Sequence, residues 1–279
     1  MSILITGTSS GFGKLTAIAL ARKGESVIAT MRNLDKSEDL LRLAKEEKLS
    51  IEVRELDVCN PESVKVCLDE AQDIHALINN AGFEVQAAIE QLDDELMIKQ
   101  LDTNVMGPLR TMRAVLPAWR ERGSGVIVNV SSIAGRVAPP YSGAYAASKH
   151  ALEAMSESLH FEVSQLGIRV SLIEPGRFPT NFGENIIRPA SWEGSEYEKR
   201  CESFRVALMK LDNNDDDTEE GLPSGPELVV DAIMHAIADP STPFRVLVGA
   251  DAEMIDAAKT SMDFENFETT MRTVLDWND

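Results

Sequence analysis

Cysteine, histidine and aromatic residues are all scarce in this chain of 279 residues. The three cysteines are Cys59, Cys67 and Cys201, and an odd number without a C-x-x-C pair argues against a disulfide framework or a thiolate metal site. The four histidines are too scattered along the sequence to form a cluster of metal ligands. We therefore expect no bound metal and a reducing, cytoplasmic environment.

Basic residues and long apolar runs are lacking as well. The 27 lysines and arginines stand against 46 aspartates and glutamates, and the net charge of −19 argues against nucleic acid or an anionic membrane as a partner. No apolar run approaches the roughly 18 residues that a membrane span requires, and the first residues, "MSILITG", lack the pattern of a secretory signal. The sequence predicts neither export nor a membrane span.

Short apolar runs alternate along the chain with segments of helical periodicity. Such alternation predicts right-handed strand–helix–strand units and hence a parallel sheet with helices on both faces. We expect a single domain over residues 1–279, with the Rossmann-type, doubly wound α/β fold. The predicted strands are "SILIT" (2–6), "SVIAT" (26–30), "IEVREL" (51–56), "HALIN" (75–79), "GVIVNVS" (125–131), "IRVSLIE" (168–174) and "FRVLVG" (244–249).

This alternation lapses between residues 181 and 226. The stretch "DNNDDDTEEG" carries six carboxylates and no base between Asp212 and Glu220, a composition typical of a solvated loop. An amphipathic helical pattern resumes after Pro226, so we interpret residues 181–226 as an excursion within the domain. The alternative to a passive loop is a lid over the substrate.

A glycine-rich stretch, "TGTSSGFG", follows the first predicted strand. Gly7, Gly11 and Gly13 permit a tight turn and a close approach of the backbone to a ligand. A helix beginning near Gly11 would direct its free N–H groups at a pyrophosphate. The position between the first strand and the first helix makes this loop a candidate dinucleotide site.

The stretch "PPYSGAYAASKHAL" (139–152) places Tyr141, Tyr145 and Lys149 at intervals of four residues. A lysine four residues from a tyrosine on a helix brings a cation beside the phenol and favours the phenolate, which makes the tyrosine a usable acid. Spacing alone leaves open which tyrosine is the chemical one.

Several motifs occur in the order and at the spacing of one enzyme family. They are "TGTSSGFG" (6–13), "LDV" (56–58), "NNAG" (79–82), Asn104 in "LDTNVMG", "NVSS" (129–132), "YAASK" (145–149) and "EPGRFPT" (174–180). Over roughly residues 3 to 250 the chain resembles the short-chain dehydrogenase/reductase family, of the compact type with a T-G-x-x-x-G-x-G loop. The stretch "ATMRNLDK" (29–36), the extended segment after Thr180 and "FRVLVGADAEM" (244–254) are similar to the branch of hydroxysteroid and retinol dehydrogenases and related carbonyl reductases.

This resemblance implies a catalytic set of Asn104, Ser132, Tyr145 and Lys149. The family's active tyrosine lies in Y-x-x-x-K, thirteen residues after a serine, and only Tyr145 meets both conditions. By the same resemblance, Ser132 would bind the substrate oxygen, Lys149 and the oxidised nicotinamide would lower the pKa of Tyr145, and Asn104 would hold a water that links Lys149 to solvent.

Two neighbours of this set are assigned other roles. Tyr141 follows Pro139-Pro140, so we expect the helix to begin at Ser142 or just after it, and Tyr141 to serve in packing or as a pocket wall. Ser131, adjacent to Ser132, is expected to serve the backbone at the strand end.

The resemblance also implies a dinucleotide site. Asp57 would accept from the adenine amine, Val58 would lie beside the ring, and Asn79, Ala81 and Gly82 would form the ribose floor. The other contacts would come from the glycine loop, the catalytic pair and the segment that meets the nicotinamide. The full set is Gly7, Ser9, Ser10, Gly11, Phe12, Gly13, Arg32, Asp57, Val58, Asn79, Ala81, Gly82, Tyr145, Lys149, Pro175, Gly176 and Thr180.

The end of the second predicted strand indicates which dinucleotide binds. NAD-binding relatives carry an acid there for the 2′-hydroxyl, whereas this chain has Met31 followed by Arg32. An arginine suits a 2′-phosphate, so we expect NADP as the cofactor, with Ser10 or Lys14 assisting.

The expected function is that of an NADP(H)-dependent oxidoreductase that interconverts a ketone or aldehyde and its alcohol. The substrate would be bulky and apolar, like a steroid, retinoid or aryl ketone. Relatives associate through long helices, here placed near 93–120 and 142–166, so a homodimer or homotetramer is expected. One alternative is a non-catalytic dinucleotide sensor or scaffold, and another is an epimerase or dehydratase of the same fold.

Overall fold

The structure is a computed structural model, which describes residues 1–71, 73–212 and 225–277, with the backbone alone for 209–212. Seven strands of this described part form one parallel sheet in the order β3-β2-β1-β4-β5-β6-β7. All seven predicted strands and the doubly wound parallel sheet are confirmed. The strands are β1 (Ser2–Thr6), β2 (Ser26–Met31), β3 (Ile51–Glu55), β4 (Ile74–Asn79), β5 (Gly125–Val130), β6 (Ile168–Pro175) and β7 (Arg245–Val248).

Helices cover both faces of the sheet and extend beyond its β7 edge. Those in the described ranges are α1 (Gly11–Arg22), α2 (Glu38–Glu47), α3 (Pro61–Glu70), α4 (Asp94–Leu101), α5 (Gly107–Arg122), α6 (Gly143–Val163), α7 (Glu196–Asp212), α8 (Glu227–Ala238), α9 (Ala250–Ser261) and α10 (Phe264–Leu275). None of them is long and apolar enough to cross a membrane.

The two apolar cores follow from the two-residue repeat of a strand. Ile3 and Ile5 of β1 belong to the core that contains α1 and α8, whereas Leu4 between them belongs to the core that contains α3 and α5. A central strand of this kind is buried on both faces, which is why its sequence is an almost continuous apolar run.

The first three strands are placed outward from β1 in one direction, and β4 to β7 are placed outward in the other. The strand order therefore reverses between β1 and β4. In parallel sheets a crevice opens at such a point, outside the carboxyl ends of the strands. The glycine loop follows β1 and the "NNAG" motif follows β4, so both border this crevice.

The helix predicted near 93–120 is not continuous. A π-helical turn, Asp102–Met106, separates α4 from α5 and contains Asn104. Such wide turns are rare and are often found at functional sites. The helix predicted over 142–166 is α6 followed by a short 3₁₀ turn, Ser164–Leu166.

The excursion over residues 181–226 is less irregular than its composition suggests. It contains the 17-residue helix α7, whose buried residues Phe204 and Ala207 pack on Leu275 of α10. Most of the acidic run, residues 213–220, lies outside the described residues. The prediction of an irregular segment is therefore wrong for α7.

Candidate active site

The glycine loop is held by main-chain contacts that leave no room for side chains. Gly7 has a φ of 72°, and a Cβ there would lie 2.8 Å from the Cα of Ala81. At Gly13 a Cβ would lie 2.5 Å from the carbonyl oxygen of Gly7. The loop therefore folds closely onto the "NNAG" segment and onto itself.

Hydrogen bonds of Asn80 and Thr6 hold the glycine loop against the "NNAG" segment. Asn80 is not among the predicted site residues. The Nδ2 of Asn80 donates to the carbonyl oxygens of Thr6 (2.9 Å) and Gly7 (3.0 Å). The Oγ1 of Thr6 accepts from the backbone N–H groups of Asn80 and Ala81, both at 3.0 Å. An asparagine directly after a buried strand is the signal that could have identified this support.

The N-terminus of α1 offers backbone donors to the crevice. Ser10 is the extended N-cap residue, and its side chain makes no capping hydrogen bond with the helix. Gly11 has a φ of 57°, and Ser9 and Ser10 are partly buried. Phe12 packs edge-on against Phe178, with ring centroids 6.0 Å apart. The N-terminus of a helix offers unpaired N–H groups that can bind an anion, and a pyrophosphate at this one stays a prediction.

At the β2 end of the crevice, Met31 is buried and Arg32 is exposed. Lys14, the expected helper, lies 3.7 Å from the carboxylate of Asp39. The Oδ1 of Asp57 accepts from the backbone N–H of Cys59 at 3.0 Å. The side chain of Val58 is buried against the helix that begins at Gly107.

The predicted ribose floor is built differently from its sequence description. Asn79 is buried, its Nδ2 donates to Asn129 (2.8 Å), and its Oδ1 accepts from Thr111 (2.6 Å). The side chain of Asn79 therefore stabilises the sheet, and only its backbone remains to contact a ribose. A Cβ on Gly82 would lie 3.2 Å from Asn104, so the backbone is close-packed here too.

The segment after β6 borders the crevice from the other side. Pro175 is buried and pairs with Val248, and the N–H of Gly176 donates to the carbonyl of Val248 at 2.8 Å. A Cβ on Gly176 would meet the carboxylate of Asp251, so this side chain packs directly against the glycine. The Oγ1 of Thr180 accepts from the N–H of Phe182 at 3.3 Å.

The structure brings Ser132, Tyr145 and Lys149 together at the carboxyl end of β5. The hydroxyl of Ser132 is near enough to the phenol of Tyr145 to lower its pKa. The Nζ of Lys149 lies 5.6 Å from the centre of the Tyr145 ring and donates to the carbonyl oxygen of Val130 at 2.8 Å. Helix α6 begins at Gly143, as expected, which places Tyr145 in its first turn and Lys149 one turn later.

Burial dominates the acid–base properties of this pair. Desolvation raises the pKa of Tyr145, the carboxylate of Glu84 raises it further, and the hydrogen bond with Ser132 lowers it. Desolvation lowers the pKa of Lys149 to about 8, against the charge of Glu153. The protein groups alone therefore raise the pKa of Tyr145, and its lowering by Lys149 together with a bound oxidised nicotinamide stays a prediction.

The structure agrees with the role predicted for Tyr141 but not with the one predicted for Ser131. Tyr141 has a φ of 64°, lies outside α6, and packs against Trp192 and Tyr197, which is the predicted packing role. The hydroxyl of Ser131 is buried without a hydrogen-bond partner in the described structure, so the prediction that it serves the backbone is wrong.

Asn104 ties the π-helical turn to the active site. Its Oδ1 accepts from the N–H of Phe83 (3.2 Å), and its Nδ2 donates to the carbonyl of Phe83 (3.0 Å) and to the hydroxyl of Ser148 (3.1 Å). The side chain therefore positions the segment after "NNAG" beside the residue preceding Lys149. Its role in holding a water stays a prediction.

Two groups near the tyrosine were not in the predicted set. Phe182 is 36% exposed, and its ring centroid lies 5.9 Å from that of Tyr145. Glu84 accepts a 2.6 Å hydrogen bond from Ser142, the residue that caps α6. Phe182 lies in the segment after Thr180, whose position next to the predicted nicotinamide contact indicates a role toward the substrate. The approach of Glu84 to Ser142 carried no signal in the sequence, because it depends on how separate loops meet.

A buried ionic cluster lies behind Lys149. Arg245 contacts the carboxylates of Glu153, Glu174 and Glu157. Desolvation, together with Glu153, raises the pKa of Glu174 to about 7. Because the carboxyls of Glu153 and Glu174 are both buried beside the one guanidinium of Arg245, a proton shared between these two carboxyls is favourable. The cluster connects α6 to the β6–β7 edge of the sheet.

The residues of the crevice fit a dinucleotide. Glycines stand where a Cβ would meet backbone, the α1 terminus supplies donors, and the tyrosine lies at the far end of the crevice. The described residues contain no group of three or more potential metal ligands.

Comparison with known proteins gives the same assignment. A family model of short chain dehydrogenases matches residues 1–190. The chain is 36% identical to 3-ketodihydrosphingosine reductase of Bacteroides thetaiotaomicron (93% of this chain, 91% of the relative) and 36% identical to human retinol dehydrogenase 8 (88% and 80%).

Solved structures agree with the sequence comparison. A short-chain dehydrogenase from Streptomyces avermitilis superposes with a TM-score of 0.80 at 31% identity, over 99% of this chain and 97% of the other. Similar structures include a complex with NAD and a complex with NADP. With its fold, its dinucleotide crevice and its relatives in agreement, the chain belongs to the short-chain dehydrogenase/reductase family of oxidoreductases.

Proposed function

We propose that this protein is an NADP(H)-dependent oxidoreductase that interconverts a ketone or aldehyde and its alcohol. The observation that carries the proposal is the approach of both the Ser132 hydroxyl and the Lys149 ammonium to Tyr145. A non-catalytic sensor or scaffold, the alternative, has no need for all three groups in contact.

The three groups divide the work of carbonyl reduction. The bound nicotinamide cofactor supplies the hydride that a carbonyl carbon accepts. The hydroxyl of Ser132 donates a hydrogen bond to the carbonyl oxygen, and the hydroxyl of Tyr145 gives that oxygen its proton. The ammonium of Lys149 stabilises the phenolate left behind, which regains a proton from solvent. In the oxidation of an alcohol, the phenolate accepts the proton instead.

The choice of NADP rests on Arg32 and Met31. Arg32 is exposed at the carboxyl end of β2, where a guanidinium is free to meet a 2′-phosphate. Met31 is buried and carries no charge, so no carboxylate at that position repels the phosphate.

A bulky apolar substrate is supported by the aromatic side of the pocket. Phe182 lies over Tyr145, and Tyr141 packs with Trp192 behind it. The names of the two relatives denote reduction of a ketone, 3-ketodihydrosphingosine, and oxidation of an alcohol, retinol. We propose that residues 181–188 cover such a substrate as a lid.

We propose that the protein is a homodimer or homotetramer, and that it works in the cytoplasm. Phe161 of α6 and Ile98 of α4 are 75% and 65% exposed, as expected of helices that meet a second copy. The three cysteines are free, as in a reducing compartment. Light scattering on the purified protein should give a multiple of the chain mass, and a monomer that persists at high concentration would contradict the association.

The test of the proposed function is a panel of apolar ketones, aldehydes and alcohols assayed with each dinucleotide, following the absorbance of the reduced cofactor. We expect turnover of several apolar ketones with NADPH. Binding of NADPH without turnover of any member of the panel would favour the sensor.

A further inference from the structure

Glu84 is a carboxylate close to the start of α6 and to Tyr145, and it has no part in the proposed proton transfer. It follows the "NNAG" motif and lies between the start of α6 and the segment that carries Phe182. A carboxylate at such a position is costly to desolvate unless it is hydrogen-bonded or meets a cation.

The backbone around Glu84 is fixed from both sides. Its carbonyl oxygen accepts from the N–H of Ile187 at 2.9 Å, and Val85 forms an isolated parallel bridge with Ile187. On the other side, Ala87 forms a bridge with Ser142. These contacts hold Glu84 where the segment over the substrate meets the first turn of the catalytic helix.

The side chain is directed by Ser142. The hydroxyl of Ser142 donates to Oε1 of Glu84 at 2.6 Å, and Tyr145 follows three residues later, on the same side of α6. The carboxylate is near enough to Tyr145 to raise the pKa of the phenol. Its second oxygen, Oε2, has no hydrogen bond within the described part of the chain.

The charged groups around Glu84 leave it without an ion pair. Burial raises the pKa of the Glu84 carboxyl, and the hydrogen bond from Ser142 and the charge of Arg188 oppose this shift. The Nε of Arg188 itself donates to Oε1 of Gln86 at 2.8 Å. No basic side chain among the described residues lies within 4 Å of the Glu84 carboxylate. The other titratable neighbours, Tyr145 and Cys201, are neutral acids whose ionisation the carboxylate opposes.

We propose that Glu84 determines substrate specificity by binding a protonated amine a few bonds from the carbonyl of an otherwise apolar ketone. The inference rests on the proposed carbonyl reductase function and narrows its substrate class to amino ketones. An ammonium placed between Oε2 and the reacting carbonyl completes the hydrogen bonding of Glu84 and neutralises its charge. An apolar ketone leaves the carboxylate unpaired.

The test compares 3-amino-1-phenylpropan-1-one with 1-phenylpropan-1-one, which lacks the amine. The measured quantity is the ratio of their kcat/KM values with NADPH at neutral pH, because any effect of Glu84 on Tyr145 is common to both substrates. In Glu84→Gln we expect the ratio to fall about tenfold or more, the size typical of losing a charged hydrogen bond. The glutamine amide oxygen can still accept from Ser142.

Two matched variants sharpen the result. Arg188→Gln removes the competing cation and should raise the ratio, whereas Glu95→Gln, an exposed acid on α4, should leave it unchanged. The neutral 3-hydroxy-1-phenylpropan-1-one separates charge from hydrogen bonding. The same ratio of kcat/KM values is measured for the hydroxy ketone relative to 1-phenylpropan-1-one. If Glu84→Gln lowers this ratio as strongly as it lowers the ratio for the amino ketone, recognition of a cation is refuted.

The failures of the two proposals are distinguishable. If the plain ketone is reduced in a Tyr145-dependent reaction but the ratio is the same in the wild type and Glu84→Gln, the role of Glu84 is refuted and the reductase stands. If no ketone is reduced although NADPH binds, the proposed function itself fails.

Discussion

The two sides of the crevice are built in different ways. On the dinucleotide side, Gly7 and Gly13 meet backbone atoms, and Thr6 and Asn80 hold those atoms through hydrogen bonds. On the substrate side, single backbone bridges place side chains such as Phe182 over the tyrosine. A site made of backbone tolerates few sequences, whereas a site made of side chains can change while its frame persists.

The largest expected effect concerns the backbone-built side. Gly13→Ala places a Cβ 2.5 Å from the carbonyl of Gly7 and 2.4 Å from Nδ2 of Asn80, so the loop must shift. We expect dinucleotide affinity to fall by about tenfold or more, which corresponds to roughly 1.4 kcal/mol, measured by calorimetric titration.

The control is Gly183→Ala, on the substrate side, where no atom lies within 4 Å of the added Cβ. It should bind the dinucleotide as the wild type does. Equal losses in the two alanine variants would remove the distinction between the two sides.

The next effect separates packing from specificity within the substrate side. Trp192 is 5% exposed and packs on Tyr141, so Trp192→Ala should destabilise the protein by roughly 3–5 kcal/mol. Phe182→Ala should leave the melting temperature nearly unchanged, because the ring is partly exposed, and should alter the relative kcat/KM values of large and small ketones. Thermal unfolding and the ketone panel measure the two outcomes. A changed substrate profile in a fully stable Trp192→Ala would contradict this division.

A third effect tests the dinucleotide side where side chains do contribute. Arg32→Ala removes the guanidinium proposed to bind the 2′-phosphate, and Met31→Asp adds a carboxylate that can accept from the 2′-hydroxyl. Together the two substitutions should move the preference from NADP toward NAD. The loss of a charged hydrogen bond predicts a change of about tenfold in the ratio of the two dissociation constants. Equal affinity of the wild type for both dinucleotides at one ionic strength would remove Arg32 from the site.

The smallest effect concerns pH. The carboxylate of Glu84 raises the pKa of Tyr145, because a second negative charge nearby is unfavourable. Alcohol oxidation needs the phenolate, so its rate rises with pH through the pKa of Tyr145. Removing the charge in Glu84→Gln should move that rising limb to lower pH, while Glu95→Gln should leave it in place. A limb that moves to higher pH in Glu84→Gln would contradict the sign of the interaction.

The same contrast explains what could be predicted from the sequence. The seven strands were predictable because buried parallel strands are short apolar runs. The glycine loop and the assembly of Ser132, Tyr145 and Lys149 were predictable because each depends on local spacing along a strand, a turn or one helix face.

What escaped prediction depends on contacts between distant segments. Helix α7 was hidden by its acidic neighbourhood, although Cys201, Phe204 and Ala207 are buried at helical spacing. The π-helical turn spans only the five residues Asp102–Met106, which is too short a stretch for the spacing of apolar residues to reveal it. Glu84 depends on Ser142, 58 residues away along the chain. The raised pKa of Tyr145 depends on burial, which local spacing does not report.

The central claim is that Tyr145, and not Tyr141, transfers the proton. The most direct measurement is the rate of ketone reduction in a single turnover with bound NADPH, in Tyr145→Phe and in Tyr141→Phe. Because a general acid contributes about 10² to 10⁴ in rate, Tyr145→Phe should lose that factor while binding NADPH normally, and Tyr141→Phe should retain the wild-type rate. A normal rate in Tyr145→Phe, or the loss in Tyr141→Phe instead, would contradict the account.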